Sequence, residues 1–258
     1  MSGLEIEGLS VAYGGNKAVN DISLAAPGGR ITGLIGPNGA GKTTTFNACS
    51  GFVRPTQGRV RLMGSDVTRV SPAGRARRGL GRTFQRMEVV NAMTTRVNVA
   101  LGAECVSVGS KPWRQVFAGR AARKSIEEMT TEAMEVCGIA HLADRSVGTL
   151  STGQRRLVEL ARAKAGGFPM LLLDEPSSGL DEEETKRFGE ILMRIVADQQ
   201  TGILLVEHDM ALIMSVCDYI YVLDFGCLIF EGTPAEVQAS PLVRAAYLGQ
   251  ETAELSEA

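Results

Sequence analysis

The chain has 258 residues, 44% apolar and 22% charged, with 27 Lys and Arg against 29 Asp and Glu for a formal net charge of −2. These values exclude collagen-like, disulfide-scaffold and wholly disordered chains, and the near-neutral balance gives no electrostatic case for nucleic-acid binding. No apolar run reaches the about 18–20 residues that a membrane-spanning helix needs, and Met1–Ser10 carries Glu5 and Glu7 with no basic stretch, unlike a secretory signal.

Strand patterns open the chain. Leu4–Glu7 alternates, and Val19–Ala25 follows a turn at Gly14-Gly15. Beyond the turn at Pro27–Gly29, Ile31–Ile35 is a short apolar run of the buried-strand type. A Gly-rich loop leads into a predicted helix over Lys42–Cys49, and Gly58–Leu62 reads as a strand. From about Gln85 to Ala165 the pattern is helical, with an amphipathic helix over Ser125–Val136 and an irregular insertion over 102–119 that holds the single Trp113. The glycines at 166 and 167 predict a shortened helix end there. Met170–Leu173 and Ile203–Val206 are apolar strands flanking a helix over Glu182–Ala197, with Asp181 as its N-cap. Tyr219–Leu223 and Leu228–Glu231 form a hairpin around Asp224–Gly226, Thr233-Pro234 opens a short helix, and Glu251–Ala258 is a frayed polar tail. Strand–helix–strand alternation implies an α/β fold with a parallel sheet covered by helices, interrupted by a helical lobe. The cysteines at 49, 105, 137, 217 and 227 contain no C-x-x-C pair and read as reduced, mostly buried thiols of a cytosolic protein.

Two motifs carry chemistry. Gly36–Thr43 matches G-x-x-x-x-G-K-[ST] between a strand and a helix. Such a loop turns backbone N–H groups and a helix N-terminus toward phosphates. Lys42 supplies a charge for the β- and γ-phosphates, and Thr43 a hydroxyl for Mg²⁺. Leu171–Glu175 places two carboxylates at the C-terminal end of a buried strand, the edge where open α/β sheets bind ligands. Asp174 suits Mg²⁺, and Glu175 suits orienting and polarising an attacking water.

With Leu150–Gln154 added between these motifs, the chain resembles the ATP-binding subunit of an ATP-binding cassette (ABC) transporter over essentially its whole length. The resemblance implies a P-loop NTPase core, mostly parallel with an antiparallel N-terminal β part. It divides a single domain, 1–258, into a core with β subdomain (1–84 and 166–250), a helical lobe carrying the signature motif (85–165) and a flexible tail (251–258). It implies ATP and Mg²⁺ as cofactors. Tyr13 matches the aromatic that stacks on adenine, and Asn38, Gly39, Ala40, Gly41, Lys42, Thr43 and Thr44 match the phosphate contacts. Gln85, in Arg82–Gln85, matches the glutamine at the lobe junction that senses Mg²⁺ and the membrane partner. Ser151, Gly153 and Gln154 match the signature motif, which acts on the nucleotide of a second subunit. Asp181, in Ser178–Asp181, matches the loop that crosses between subunits. His208 matches the switch histidine, so Glu175, His208 and Lys42 are the implied catalytic set, and Thr43, Gln85 and Asp174 the implied metal set. Thr152 departs from the commonest signature, which has glycine at that position.

Met93–Val99, the insertion at 102–119, Val206–Met210, Gly232–Val237 and Ala246–Gly249 are similar to the branched-chain amino-acid import group, in its longer ATP-binding subunit. Urea or amide import and lipopolysaccharide export stand as alternatives on the same motor. A ribosome- or DNA-directed cassette ATPase disagrees with the single motif set, and a non-hydrolysing module with intact Lys42, Asp174, Glu175 and His208. The implied partners are permease subunits in separate chains, docked near Gln85 and Val89–Val99, a second ATP-binding subunit and, indirectly, a solute-binding protein. The implied location is the cytoplasmic face of the inner membrane. Arg75, Arg77, Arg78, Arg82 and Arg86 read as a solvated basic face or as a surface for an anionic or polar membrane partner.

Overall fold

The computed structural model describes residues 3–83, 88–107 and 120–254. The strands in chain order are β1 (Gly3–Tyr13), β2 (Asn16–Pro27), β3 (Ile31–Ile35), β4 (Gln57–Leu62), β5 (Ser65–Asp66), β6 (Leu80–Arg82), β7 (Met170–Asp174), β8 (Gly202–Val206), β9 (Tyr219–Asp224) and β10 (Cys227–Gly232). The α-helices are α1 (Lys42–Ser50), α2 (Pro72–Ala76), α3 (Thr95–Ser107), α4 (Arg120–Val136), α5 (Thr152–Ala165), α6 (Glu182–Gln199), α7 (Met210–Val216), α8 (Pro234–Ala239) and α9 (Pro241–Glu254).

Two sheets form the body. An antiparallel sheet runs β2-β1-β4-β5, with Leu4 opposite Ala26 on one side and Leu62 on the other. The second sheet runs β10-β9-β3-β8-β7-β6, parallel from β9 to β6, with β10 antiparallel at its edge. The apolar runs of the parallel strands are continuous because both faces are covered. Alternate residues go to opposite cores. Leu172, Leu204 and Leu34 join Leu4, Ile6, Val60 and Phe46 of α1 beneath the antiparallel sheet. Leu171, Leu173, Leu205 and Ile35 join Val158, Leu192 and Ile213 of α5, α6 and α7 on the other face. Each leucine so buried contributes about 2 kcal/mol. The helices α3, α4 and α5 pack on one another at the far side of that second core.

Most elements expected from the pattern are present, and several differ. α3 continues through residues 102–107, where an irregular insertion was expected, because Gly102 allows α3 and α5 to close on each other. A Cβ there would lie 2.0 Å from the Arg162 carbonyl. The rest of the insertion, 108–119 with Trp113, lies outside the described residues, as do Gln85 and Arg86. β6 was not anticipated: it is three residues long, and Gly81 passes beneath Phe168. α5 stops at Ala165 with Gly166 as its C-cap, as the paired glycines predict. α9 runs to Glu254, so the first part of the expected tail is helical. The basic cluster divides. Arg77 and Arg78 are exposed. Arg75 is 1% exposed and donates to the carbonyls of Ala48, Cys49, Thr68 and Val70, closing the C-terminal end of α1.

Candidate nucleotide site

Parallel order puts the ends of β3, β8, β7 and β6 side by side on one edge of the sheet, and that edge collects the sequence motifs. β3 ends at Ile35, and the loop Gly36–Gly41 turns directly into α1. Gly36 and Gly41 take φ of +148° and +97°. A Cβ at Gly36 would lie 2.1 Å from the Leu223 carbonyl oxygen, and one at Gly41 2.7 Å from that of Ala18. Backbone is therefore packed against backbone on both sides of the loop. No side chain caps α1, whose N-cap is Gly41, so its first amides face the loop as an anion-binding helix end.

The Lys42 side chain folds back over this loop. Its Nζ donates to the carbonyl oxygens of Gly36 at 2.5 Å and Pro37 at 2.9 Å. Burial lowers the Lys42 pKa, and the charges of Glu175 and Asp174 oppose that fall. Thr43 is exposed and Thr44 half-buried in the first turn of α1, and Asn38 and Gly39 are exposed at the loop's crest, with Ala40 buried beneath. Tyr13 is 52% exposed at the end of β1, in the hairpin whose second strand touches the loop at Ala18.

Asp174 ends β7 and is buried. Its Oδ2 accepts from Arg82 Nη2 at 3.1 Å. Burial pushes the Asp174 carboxyl up, the Arg82 guanidinium pulls it back, and the neighbouring Glu175 charge adds to the rise. Glu175 sits at φ +48°, a conformation that costs a non-glycine residue about 1 kcal/mol or more. Its N–H donates to the Val206 carbonyl at 2.8 Å, fixing that turn. Glu175 Oε1 then lies 2.6 Å from His208 Nε2. These two residues, 33 apart in sequence, are thus brought into direct contact. Lys42 and Asp174 lie within electrostatic reach of Glu175.

Three supporting residues were missed by sequence reasoning. Glu207 is buried; its Oε1 accepts from the Ser177 N–H at 2.7 Å and its Oε2 from the His208 N–H at 3.1 Å. It ties the loop after β7 to the loop after β8. Its only sequence signal is a carboxylate immediately following an apolar strand. Arg82 bonds Asn47, Ser50 and Asp174, and a short Gly-flanked strand concealed it. Glu184 is the third. Its sequence signal was the spacing Asp181-x-x-Glu184 of a capping box.

The signature segment lies elsewhere in the chain's own fold. Ser151 N-caps α5 in a capping box: the Gln154 N–H donates to Ser151 Oγ at 3.2 Å, and the Ser151 N–H to Gln154 Oε1 at 3.1 Å. Gly153 is buried against Glu184, whose Oε1 would lie 2.3 Å from a Cβ at that position. Glu184 in turn accepts from the Asp181 N–H at 3.3 Å, while Asp181 Oδ1 accepts from the Glu184 N–H at 2.8 Å. Thr152 is exposed, and its Cγ2 lies 3.3 Å from where a Cβ at Gly179 would stand. Among the described residues, no hydrogen bond joins Ser151, Gly153 or Gln154 to the phosphate loop.

No helix among the described residues is long and apolar enough to cross a membrane. The cysteines at 49, 137 and 217 are buried, Cys227 is half-buried and Cys105 is exposed, all as free thiols.

Comparison with known proteins agrees with this geometry. Residues 19–178 match the ABC transporter family, and residues 227–253 match the branched-chain amino acid ATP-binding cassette transporter family. The high-affinity branched-chain amino acid transport ATP-binding protein BraF of Pseudomonas aeruginosa is 37% identical over 250 residues, 96% of this chain and 98% of BraF. The corresponding protein LivG of Salmonella typhimurium is also 37% identical, over the same shares of each chain. The crystal structure of the ADP conformation of MJ1267, an ATP-binding cassette of an ABC transporter, superimposes with a TM-score of 0.83 at 30% identity, covering 96% of this chain and 99% of that one. With its phosphate loop, acidic strand end and histidine on one sheet edge, the chain belongs to the ABC transporter family as an ATP-binding cassette ATPase.

Proposed function

We propose that this chain is the motor subunit of an importer for branched-chain or related small amino acids. The observation that carries the reading is the 37% identity to BraF over 96% of the chain. The separate match at 227–253 supports it. Lys42 and the first amides of α1 hold the phosphates. Glu175, its backbone fixed through Val206 and its carboxylate against His208, orients the attacking water. His208 adds a contact to the γ-phosphate, and Tyr13 stacks on the adenine.

The donor set suits Mg²⁺: one hydroxyl and one carboxylate, hard oxygen ligands that leave positions for water and phosphate. Among the described residues no cluster of three or more His, Cys, Asp or Glu forms a self-sufficient metal cage. Thr43 and Asp174, with Gln85, would hold the ion, which when bound neutralises phosphate charge.

A second ATP-binding subunit completes the site. Ser151, Gly153 and Gln154 act on the partner's nucleotide, and Asp181 connects the two sites. Supporting this, Ser151, Gly153 and Gln154 lie at the start of α5, apart from the phosphate loop at the end of β3. Residues 1–84 and 166–250 form the nucleotide-binding core, and residues 85–165 the lobe that meets separate permease chains at the cytoplasmic face of the membrane. A solute-binding protein delivers the cargo to those permeases.

The test is uptake of labelled leucine by cells whose only copy carries Lys42→Ala, with urea and a basic amino acid as controls. Selective loss of leucine uptake is expected. Normal leucine uptake with loss of another solute would overturn the amino-acid reading.

A further inference from the structure

Arg82 lies outside the signature, phosphate-loop and histidine motifs, yet it joins α1 to the end of β7. It leaves β6 beside β7, and its guanidinium reaches two elements at once. Nη1 donates to Asn47 Oδ1 at 2.8 Å and to Ser50 Oγ at 2.6 Å, both in the last turn of α1. Nη2 donates to Asp174 Oδ2 at 3.1 Å. The cation also stands 5.8 Å from the Phe46 ring and 5.5 Å from the Phe52 ring. The side chains of Arg82 and Asp174 are only 10% and 5% exposed, so water competes weakly for either.

α1 carries Lys42 and Thr43 at its other end. Arg82 therefore spans from the helix that presents the phosphate-binding and metal-binding hydroxyl groups to the carboxylate that must face them. It engages Oδ2 of Asp174 and so restrains the carboxylate's rotation. A planar fork is suited to this: it holds acceptors on two elements in fixed relative positions, as a lysine's single ammonium does not.

We infer that Arg82 is a positioning residue that sets the Asp174 carboxylate against α1, and so governs how well Mg²⁺ supports nucleotide binding. The inference rests on the reading above in which Asp174 is a Mg²⁺ ligand. Its contacts to Asp174 and to the end of α1 are the route by which it would act. A residue important only for folding would lower stability without changing metal dependence.

The test is the affinity for a ribose-labelled fluorescent ATP analogue, measured across a Mg²⁺ titration and in EDTA, for wild type, Arg82→Met, Arg82→Lys and Asp174→Asn. Wild type is expected to bind more tightly with Mg²⁺ than in EDTA, and Asp174→Asn to lose that gain. Arg82→Met should bind as wild type does in EDTA but need about tenfold more Mg²⁺ for half the gain, an estimate in line with loss of a group that orients a metal ligand. Arg82→Lys keeps the charge and loses the fork, so it should also shift, by less. Arg82→Lys is the milder change and keeps the test alive if Arg82→Met fails to fold. Wild-type Mg²⁺ dependence in both Arg82 variants, alongside a defective Asp174→Asn, overturns the inference alone. A Mg²⁺ gain that survives in Asp174→Asn overturns the metal assignment beneath it.

Discussion

Replacing Glu175 by Gln keeps the side-chain volume and removes the charge that faces His208 at 2.6 Å. The backbone of residue 175 is held by its own N–H bond to Val206 and by the Ser178 N–H donating to the Glu175 carbonyl, so the turn should survive. What is lost is the carboxylate proposed to orient and polarise water. Removing one positioned electrostatic group of this kind costs about 10²–10³ in rate, or about 2.7–4 kcal/mol of transition-state stabilisation. Nucleotide binding should move the other way. Burial, opposed by Arg82, raises the Asp174 carboxyl, and the adjacent Glu175 carboxylate adds to that rise as like charge at close range does. Neutralising it removes one repulsion from the incoming phosphates while Lys42 keeps its carbonyl cradle. The expected outcome is ATP binding at least as tight as wild type, turnover at least about a hundredfold slower, and a dimer that accumulates with Mg-ATP on size-exclusion chromatography. Phosphate release measured beside fluorescent-nucleotide binding separates these effects. Turnover at the wild-type rate would refute the role of Glu175.

Arg75→Met should lower stability by about 3 kcal/mol, because it strips the buried donor from the carbonyls of Ala48, Cys49, Thr68 and Val70. For a chain of this size that is a fall in melting temperature of about 10 °C, and an unchanged melting curve would contradict the buried placement. Gly153→Ala forces the Glu184 carboxylate off its seat, which lies 2.3 Å from the new Cβ, and should cost about 1 kcal/mol through the loosened cap at Asp181. Gly153→Ala should also weaken ATP-driven dimerisation and adding Glu184→Ala restore part of it, and a double variant no better than the single would count against the contact. Burial raises the thiol pKa of Cys49, Cys137 and Cys217 to about 12. At pH 8 a maleimide should therefore label Cys105 first and Cys227 next, with the remaining thiols reacting only on unfolding, as read by peptide mass spectrometry.

The parts of this molecule that were legible in sequence are those in which a local physical need dictates residue type. The loop from Gly36 to Lys42 requires backbone without Cβ and a cation at a fixed offset, and both needs are written in the chain. The runs at Met170–Leu173 and Ile203–Val206 announced strands buried on both faces, and Asp181 announced the start of α6. What stayed hidden depends on distant partners. Arg75 and Arg82 sit in a charged run that looks solvated, yet one caps α1 and the other links α1 to β7. β6 is only Leu80–Arg82, too short to show any period, and it exists because β7 offers an open edge. Glu207 looks like one more strand-end acid until Ser177 and His208 close on it from two loops.

The same placement offers a route for the proposed coupling between two sites. Glu175 begins a short segment whose every few residues are tied to the signature helix. The Ser178 carbonyl accepts from Arg156 of α5 at 3.5 Å. Asp181 then caps α6, and Glu184, bonded back to Asp181, rests on Gly153. A backbone displacement at Glu175 thus has a continuous covalent and packed route to the residues that would touch a second subunit's nucleotide. Each step of the route is a hydrogen bond or a packing contact between named groups. Geometry supplies the connection, and the cycle of Gly153→Ala with Glu184→Ala measures whether energy travels along it. A coupling energy near zero between those two positions would leave Gly153 and Glu184 as independent contacts, and the proposed route from Glu175 to the signature helix would fail at that step.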